Sequence, residues 1–234
     1  MNRLGVLRMC ELPEPAIAAH GDYLTVFRDF YGRYALELVD FAVHDGDSPA
    51  SIHECDGWVI GGSPASVYED LDWIRTGEEI VRSLIAAERP LFGICFGHQL
   101  MAQALGGTVE RASVGWGAGA HHYEVAEAPP MWPDAPATIA LLAMHQDQVT
   151  DVPVDATVWA TSTFCPNAGI AYGDRAWSMQ PHPEFTPRLV GALCRDRRLR
   201  LGDDVADAAI ASLDTPLDSA LVAAADARRA VPRA

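Results

Sequence analysis

The chain has 234 residues, 49% of them hydrophobic, and a formal net charge of −15, with every one of its 17 Lys+Arg positions occupied by arginine. That length suits one domain with a full core, or one domain carrying a C-terminal extension. The acidity excludes ordinary binding to nucleic acid or to anionic membranes, and no apolar run of about 18 residues exists to span a bilayer.

In chain order, Leu4 to Met9 reads as a first strand. It is too short for a secretion signal and runs into Cys10-Glu11-Leu12-Pro13-Glu14, so cytoplasm is the expected compartment. Ala18 to Tyr34 places Tyr23, Leu24, Phe27, Phe30 and Tyr31 at helical spacing. Ala35 to Val43 reads as a strand ended by the loop Asp45-Gly46-Asp47-Ser48-Pro49. Gly57 to Ile60 is a short apolar strand leading into Gly61-Gly62-Ser63-Pro64. Asp72 to Glu88 is an amphipathic helix with Trp73, Ile80, Val81, Leu84 and Ile85 on one face. Pro90 to Ile94 is the next strand, Cys95 stands at a corner, and His98 to Leu105 is a helix ended by Gly106.

Strands alternating with helices predict a mostly parallel open sheet covered on both faces, with ligands at the carboxyl ends of its strands. After Gly107 come the β-like pieces Thr108 to Glu110, Ala120 to Val125, Thr138 to Leu142, Thr157 to Thr161, Gly169 to Tyr172 and Ala176 to Met179. They read as a small antiparallel portion. Thr186-Pro187 supplies an N-cap and a first-turn proline for a helix marked by Leu189, Val190, Leu193 and Cys194. Two Ala-rich helices close the chain, the second starting at Thr215-Pro216. The expected division is one unit over 1–200 and a helical extension over 201–234 packed on it. The basic run Arg195 to Arg200 reads as a solvated helix face.

The chemistry centres on Phe92-Gly93-Ile94-Cys95-Phe96-Gly97-His98-Gln99. A helix N-terminus favours an anion, so a thiol at this corner is placed to act as a nucleophile. Gly93 and Gly97 flank it as in a G-x-nucleophile-x-G elbow. A cysteine nucleophile needs a base, and the base needs an orienting group. Gln180-Pro181-His182-Pro183-Glu184 offers both: each proline favours extended backbone before it, and residues two apart then share a side. A carboxylate beside an imidazole selects its tautomer and stabilises its protonated form. The blander alternatives are a buried cysteine in a βα turn and a proline-stiffened loop with an incidental His and Glu.

Other residues read more simply. The five cysteines (Cys10, Cys55, Cys95, Cys165, Cys194) form no CxxC pair, which argues against a disulfide scaffold or a zinc knuckle. His121 and His122 alternate to opposite faces of a strand with no third ligand nearby, so no metal site is expected. His98 packs or caps, and Trp116 lines a pocket rim or packs. No phosphate loop of the G-x-x-x-x-G-K-[ST] type is present.

The two motifs together, elbow first and His-x-Glu after the last strand, resemble those of the class I (triad) glutamine amidotransferases; Gly61-Gly62-Ser63-Pro64 resembles that family's glycine turn, and the resemblance covers about residues 1–200. Gly115-Trp116-Gly117 is similar to a stretch in free-standing relatives of the amidotransferase domain of GMP synthetase. The resemblance implies a flavodoxin-like α/β fold and hydrolysis of the γ-amide of glutamine through a glutamyl thioester. It implies Cys95 as nucleophile, His182 as proton carrier, Glu184 as its orienting partner, and the N–H groups of Gly62 and Phe96 as oxyanion donors. It also implies substrate contacts at Gln99, Gln146 and Asp147, with no metal or organic cofactor. Whether ammonia passes to a synthetase partner chain is left open. So is a γ-glutamyl peptidase activity on the same thiol chemistry, and so is a non-catalytic interaction module, which the intact Cys95, His182 and Glu184 disfavour.

Overall fold

The computed structural model describes residues 2–230. In chain order, β1 (Asn2–Arg8), α1 (Glu14–His20), α2 (Tyr23–Tyr31), β2 (Leu36–Ala42) and β3 (Gly57–Ile60) lead to α3 (Asp72–Ala86), β4 (Leu91–Ile94) and α4 (Phe96–Ala104). A run of strands follows: β5 (Thr108–Arg111), β6 (Gly117–Val125), β7 (Thr138–His145), β8 (Asp147–Asp151), β9 (Thr157–Thr161), β10 (Gly169–Tyr172) and β11 (Ala176–Met179). Last come α5 (Pro187–Asp196), α6 (Arg198–Leu201), α7 (Asp203–Ala211) and α8 (Ser219–Ala230).

Period-two alternation explains why the parallel strands are covered on both faces. On β3, Val59 enters one core while Trp58 and Ile60 enter the other; on β4, Phe92 and Ile94 face the first and Leu91 the second. The first core is closed by α1, α2, α5, α7 and α8, the second by α3 and α4. The sheet runs β2-β1-β3-β4-β11-β10-β9-β6-β7. Its parallel block ends at β11, and the remaining pairs are antiparallel. The expected fold class therefore holds, with one refinement. Most of the antiparallel strands extend the same sheet, and only β5 and β8 stand apart as a two-stranded ribbon.

Several boundaries differ from the sequence reading. The single helix over Ala18 to Tyr34 is two helices, broken at Gly21 (φ 80°), after which the Asp22 side chain caps α2 by accepting from Thr25 N. Val43 belongs to a 3₁₀ turn and not to β2. Helix α4 begins at Phe96, not His98. β8 had no clear strand signature of its own and was not expected. Thr215-Pro216 does not start the last helix: α8 begins at Ser219, after Asp218, whose carboxylate accepts from Ala140 N at 2.8 Å.

The C-terminal helices share the first core through Ala206, Ala209, Val222, Ala225 and Ala227. Asp226 of α8 is fully buried and accepts from Tyr31 Oη (2.6 Å), Trp177 Nε1 (3.2 Å) and Arg229 Nε (2.9 Å). Among the described residues no single helix is long and apolar enough to cross a membrane.

Candidate active site

β4 and α4 meet with no spacer, and Cys95 is the corner. Its backbone is left-handed (φ 53°, ψ −102°), a conformation that costs a non-glycine residue roughly 1–3 kcal/mol. Neighbours over-determine it: Cys95 N donates to Met179 O at 2.9 Å, and Gln99 N donates to Cys95 O at 3.1 Å. The flanking glycines are required by approach. A Cβ on Gly97 would lie 2.5 Å from Ile60 O, and one on Gly93 would lie 2.7 Å from Gly97 O. The first turn of α4 is thereby pressed against the end of β3. Phe96 N–H opens the helix, where no intrahelical acceptor exists for it.

His182 arrives from the neighbouring strand, because β11 pairs with β4 in parallel and ends beside it. Its N–H donates to Leu142 O at 2.7 Å, pinning it to β7, and its ring stacks on Phe185 (centroids 3.8 Å apart, planes 5° apart). Glu184 Oε1 lies 2.7 Å from His182 Nδ1, both side chains being buried. The two were expected to share a face of an extended segment. The backbone instead turns at Pro183-Glu184, with Phe185 N donating to His182 O, and the turn brings the carboxylate under the ring. Glu184 Oε2 is buried with no hydrogen-bond partner among the described residues, so the carboxylate's charge is directed at the imidazole. Burial by itself lowers the His182 pKa; the Glu184 carboxylate and the Cys95 sulfur overcome it and push it up to about 10.

Gly62 was expected as an oxyanion donor. Its N–H is engaged, donating to Tyr23 Oη at 2.6 Å. The Tyr23 hydroxyl in turn reaches Glu184 Oε1 at 3.4 Å, and burial holds it protonated well above the ordinary tyrosine range. Gly62 also sits against the imidazole of His182: a Cβ there would lie 2.7 Å from His182 Cε1. Phe96, the other expected donor, stands at the helix start.

The expected substrate contacts also gather at the elbow. Gln99, Gln146 and Asp147 line one cavity with Cys95. Both amide N–H groups of Gln99 are committed, to Asp147 O (2.8 Å) and to Gln180 Oε1 (3.1 Å), which leaves its oxygen for a ligand. Asp147 Oδ2 accepts from Ser66 Oγ at 2.5 Å. Buried Gln180 donates from Nε2 towards Cys95 Sγ at 3.6 Å. His98 is buried against Ser178 Oγ (2.8 Å), and burial lowers its pKa to about 3, so it packs as an uncharged ring. His121 packs edge-on to Phe164 while His122 is exposed.

The run Arg195 to Arg200 is not one solvated face. Arg198 pairs with Asp203 and Asp207, joining α6 to α7. Arg197 and Arg200 instead line the cavity at Cys95, Arg200 lying over the Trp116 ring at 5.0 Å. Tyr23, Gln180 and Arg197 are the site residues that sequence reasoning missed. Tyr23 fitted an apolar helical stripe, Arg197 a charge run, and Gln180 stood inside the quoted motif without a role.

Residues 32–197 match the family model described as glutamine amidotransferase class-I. The chain is 30% identical over 207 residues to gamma-glutamyl peptidase 3 of Arabidopsis thaliana, covering 84% of this chain and 83% of that one. It is 40% identical over 96 residues to the glutamine-hydrolyzing GMP synthase of Bacillus velezensis, but this spans only 18% of that enzyme. Among solved structures, a glutamine amidotransferase of Thermotoga maritima superposes with a TM-score of 0.80 at 19% identity, covering 98% of each chain.

Proposed function

This chain belongs to the class I glutamine amidotransferase family, and from that premise we propose that it is a cysteine hydrolase of γ-glutamyl amides, cleaving the γ-amide of glutamine through a glutamyl thioester. One observation carries the reading. His182, held 2.7 Å from the buried Glu184 carboxylate, lines the same cavity as a cysteine held in a strained elbow.

The steps follow from the geometry. Cys95 sulfur attacks the γ-carbonyl carbon, forming a C–S bond while the carbonyl oxygen takes up charge. Phe96 N–H, at the positive end of α4, receives that oxygen; Gly62 N–H joins it only when the Tyr23 hydroxyl moves away. The C–N bond breaks as His182 gives its proton to the leaving nitrogen. Water then attacks the thioester, His182 takes the water's proton, the C–S bond breaks, and glutamate leaves. Glu184 holds the imidazolium in orientation during both halves. Gln99, Gln146 and Asp147 hold the amino acid end of the substrate.

A second reading, cleavage of γ-glutamyl peptides, has a specific support. The chain matches gamma-glutamyl peptidase 3 over most of that protein's length, whereas the GMP synthase match is confined to a small part. Delivery of ammonia to a synthetase partner rests on the GMP synthase match alone. Residues 1–200 form the catalytic unit in this reading, with 201–234 as its helical extension. The test is Cys95→Ala. Release of ammonia or amine from any γ-glutamyl substrate should fall at least ~10³-fold, and the wild-type chain should show a glutamyl adduct on Cys95 by intact mass. Unchanged turnover in the variant would sink the mechanism.

A further inference from the structure

We propose that Arg197 makes this site selective for γ-glutamyl compounds whose leaving amine carries a carboxylate, that is, γ-glutamyl amino acids and peptides in preference to glutamine. The inference rests on the γ-glutamyl hydrolase reading above and deepens it.

Cys95 is flanked by two cavities. One holds Gln99 and Asp147; the other holds His182, Tyr23 and Gly62. His182 protonates the departing nitrogen, so the leaving group departs on its side. Arg197 borders both cavities. It sits at the junction of α5 and α6, where its N–H donates to Leu193 O at 2.9 Å, and it is half-buried. Among the described residues its guanidinium has no carboxylate within ion-pair reach and no hydrogen-bond acceptor; the neighbouring Arg198 has both. Glu11, the acidic side chain bordering the second cavity, is already paired with Arg8.

A half-buried guanidinium whose donors meet no protein acceptor and stay open to the cavity is free to take a ligand, and its planar fork matches a carboxylate. Burial accordingly depresses the Arg197 pKa. The field of the whole chain points the same way. At a net charge of −15 the protein repels a substrate bearing two carboxylates. Arg197, with Arg200 on the rim above Trp116, sets two cationic groups beside Cys95 against that field. Glutamine leaves as ammonia and presents nothing to this group, whereas a γ-glutamyl amino acid presents its free carboxylate beyond the scissile bond.

The experiment compares γ-glutamylglycine with γ-glutamylglycinamide, a pair differing only in the leaving-group carboxylate, on the full chain and on Arg197→Gln. Wild type should show kcat/KM about tenfold or more higher for the carboxylate, and R197Q should bring the ratio to within about threefold of unity. Because the wild-type ratio needs no variant, the test survives a poorly folding R197Q. Turnover of both compounds by wild type with no preference would overturn the proposal and leave the hydrolase reading standing. An equal fall on both compounds in R197Q would overturn it too, assigning the guanidinium to the α-carboxylate of the γ-glutamyl group. Turnover of neither compound, nor of glutamine, by wild type would overturn the hydrolase reading and the proposal together.

Discussion

Replacing Glu184 with glutamine tests whether the carboxylate's charge, and not merely its shape, sets the state of His182. The carboxylate oxygen is 2.7 Å from Nδ1 with both side chains buried. At an effective dielectric constant of about 20 the attraction across that distance is on the order of 6 kcal/mol, more than about four pKa units' worth. It opposes the burial that alone lowers the imidazole pKa, and the wild-type group stands at about 10. Glutamine keeps a hydrogen-bonding oxygen but removes the charge, leaving the Cys95 sulfur alone to oppose burial, so the variant's imidazole pKa falls well below its wild-type position. Two different pH signatures result. In wild type the folded pKa is raised, so the His182 contribution to stability is complete below pH about 6.5 and is lost as pH rises through about 10. In E184Q the folded pKa moves down towards the unfolded value, so the loss of stability on the way to pH 10 shrinks or disappears. Thermal unfolding measured from pH 5 to pH 10 reads both slopes. Hydrolysis of glutamine should fall ~10²–10⁴-fold in kcat/KM, since neither orientation nor the imidazolium is supported. Identical pH slopes in the two proteins, or activity within threefold of wild type, would refute the reasoning.

Two further substitutions probe what surrounds Cys95, His182 and Glu184. Tyr23→Phe leaves the buried Gly62 N–H without its acceptor, which should cost about 1–2 kcal/mol in urea unfolding, while freeing that N–H for the oxyanion keeps kcat/KM within tenfold of wild type. A loss beyond a hundredfold would show that the hydroxyl itself takes part in the chemistry. Asp226→Ala removes the acceptor shared by Tyr31, Trp177 and Arg229 and strands a guanidinium whose side chain is 5% exposed. It should destabilise the protein by about 3–5 kcal/mol. A loss under about 1 kcal/mol would mean that α8 does not anchor the first core.

The local signals were legible where one residue type has one steric use. Gly93 and Gly97 marked a corner, and the approach distances at those positions explain why no side chain fits. The unbroken apolar runs Gly57 to Ile60 and Leu91 to Ile94 marked strands buried on both faces, which is what the two cores require. Less was legible where a residue's role depends on what lies across the fold. Asp22 competes with the helix that Tyr23 to Tyr31 continues, and the cap won, which broke the expected single helix at Gly21. β8 pairs only with β5, and a ribbon of two strands leaves too little burial for a clear pattern.

By itself the sequence determined the chemistry available to this protein: a cysteine at a helix start, a histidine and a carboxylate two residues apart, and strands that alternate between two cores. Those are short-range properties, set by backbone sterics and residue type within a few positions. Only the tertiary structure decided which groups meet. Tyr23 reaches Gly62 across 39 residues and Glu184 across 161. Gln180 turns towards the sulfur of Cys95. The basic run at the end of α5 divides, one arginine bound to α7 and another, beside Cys95, with no side-chain partner among the described residues. A helix-face pattern is the same whether the face meets solvent, a carboxylate or a cavity. The difference lies in what the chain packs against it, and long-range packing sets that.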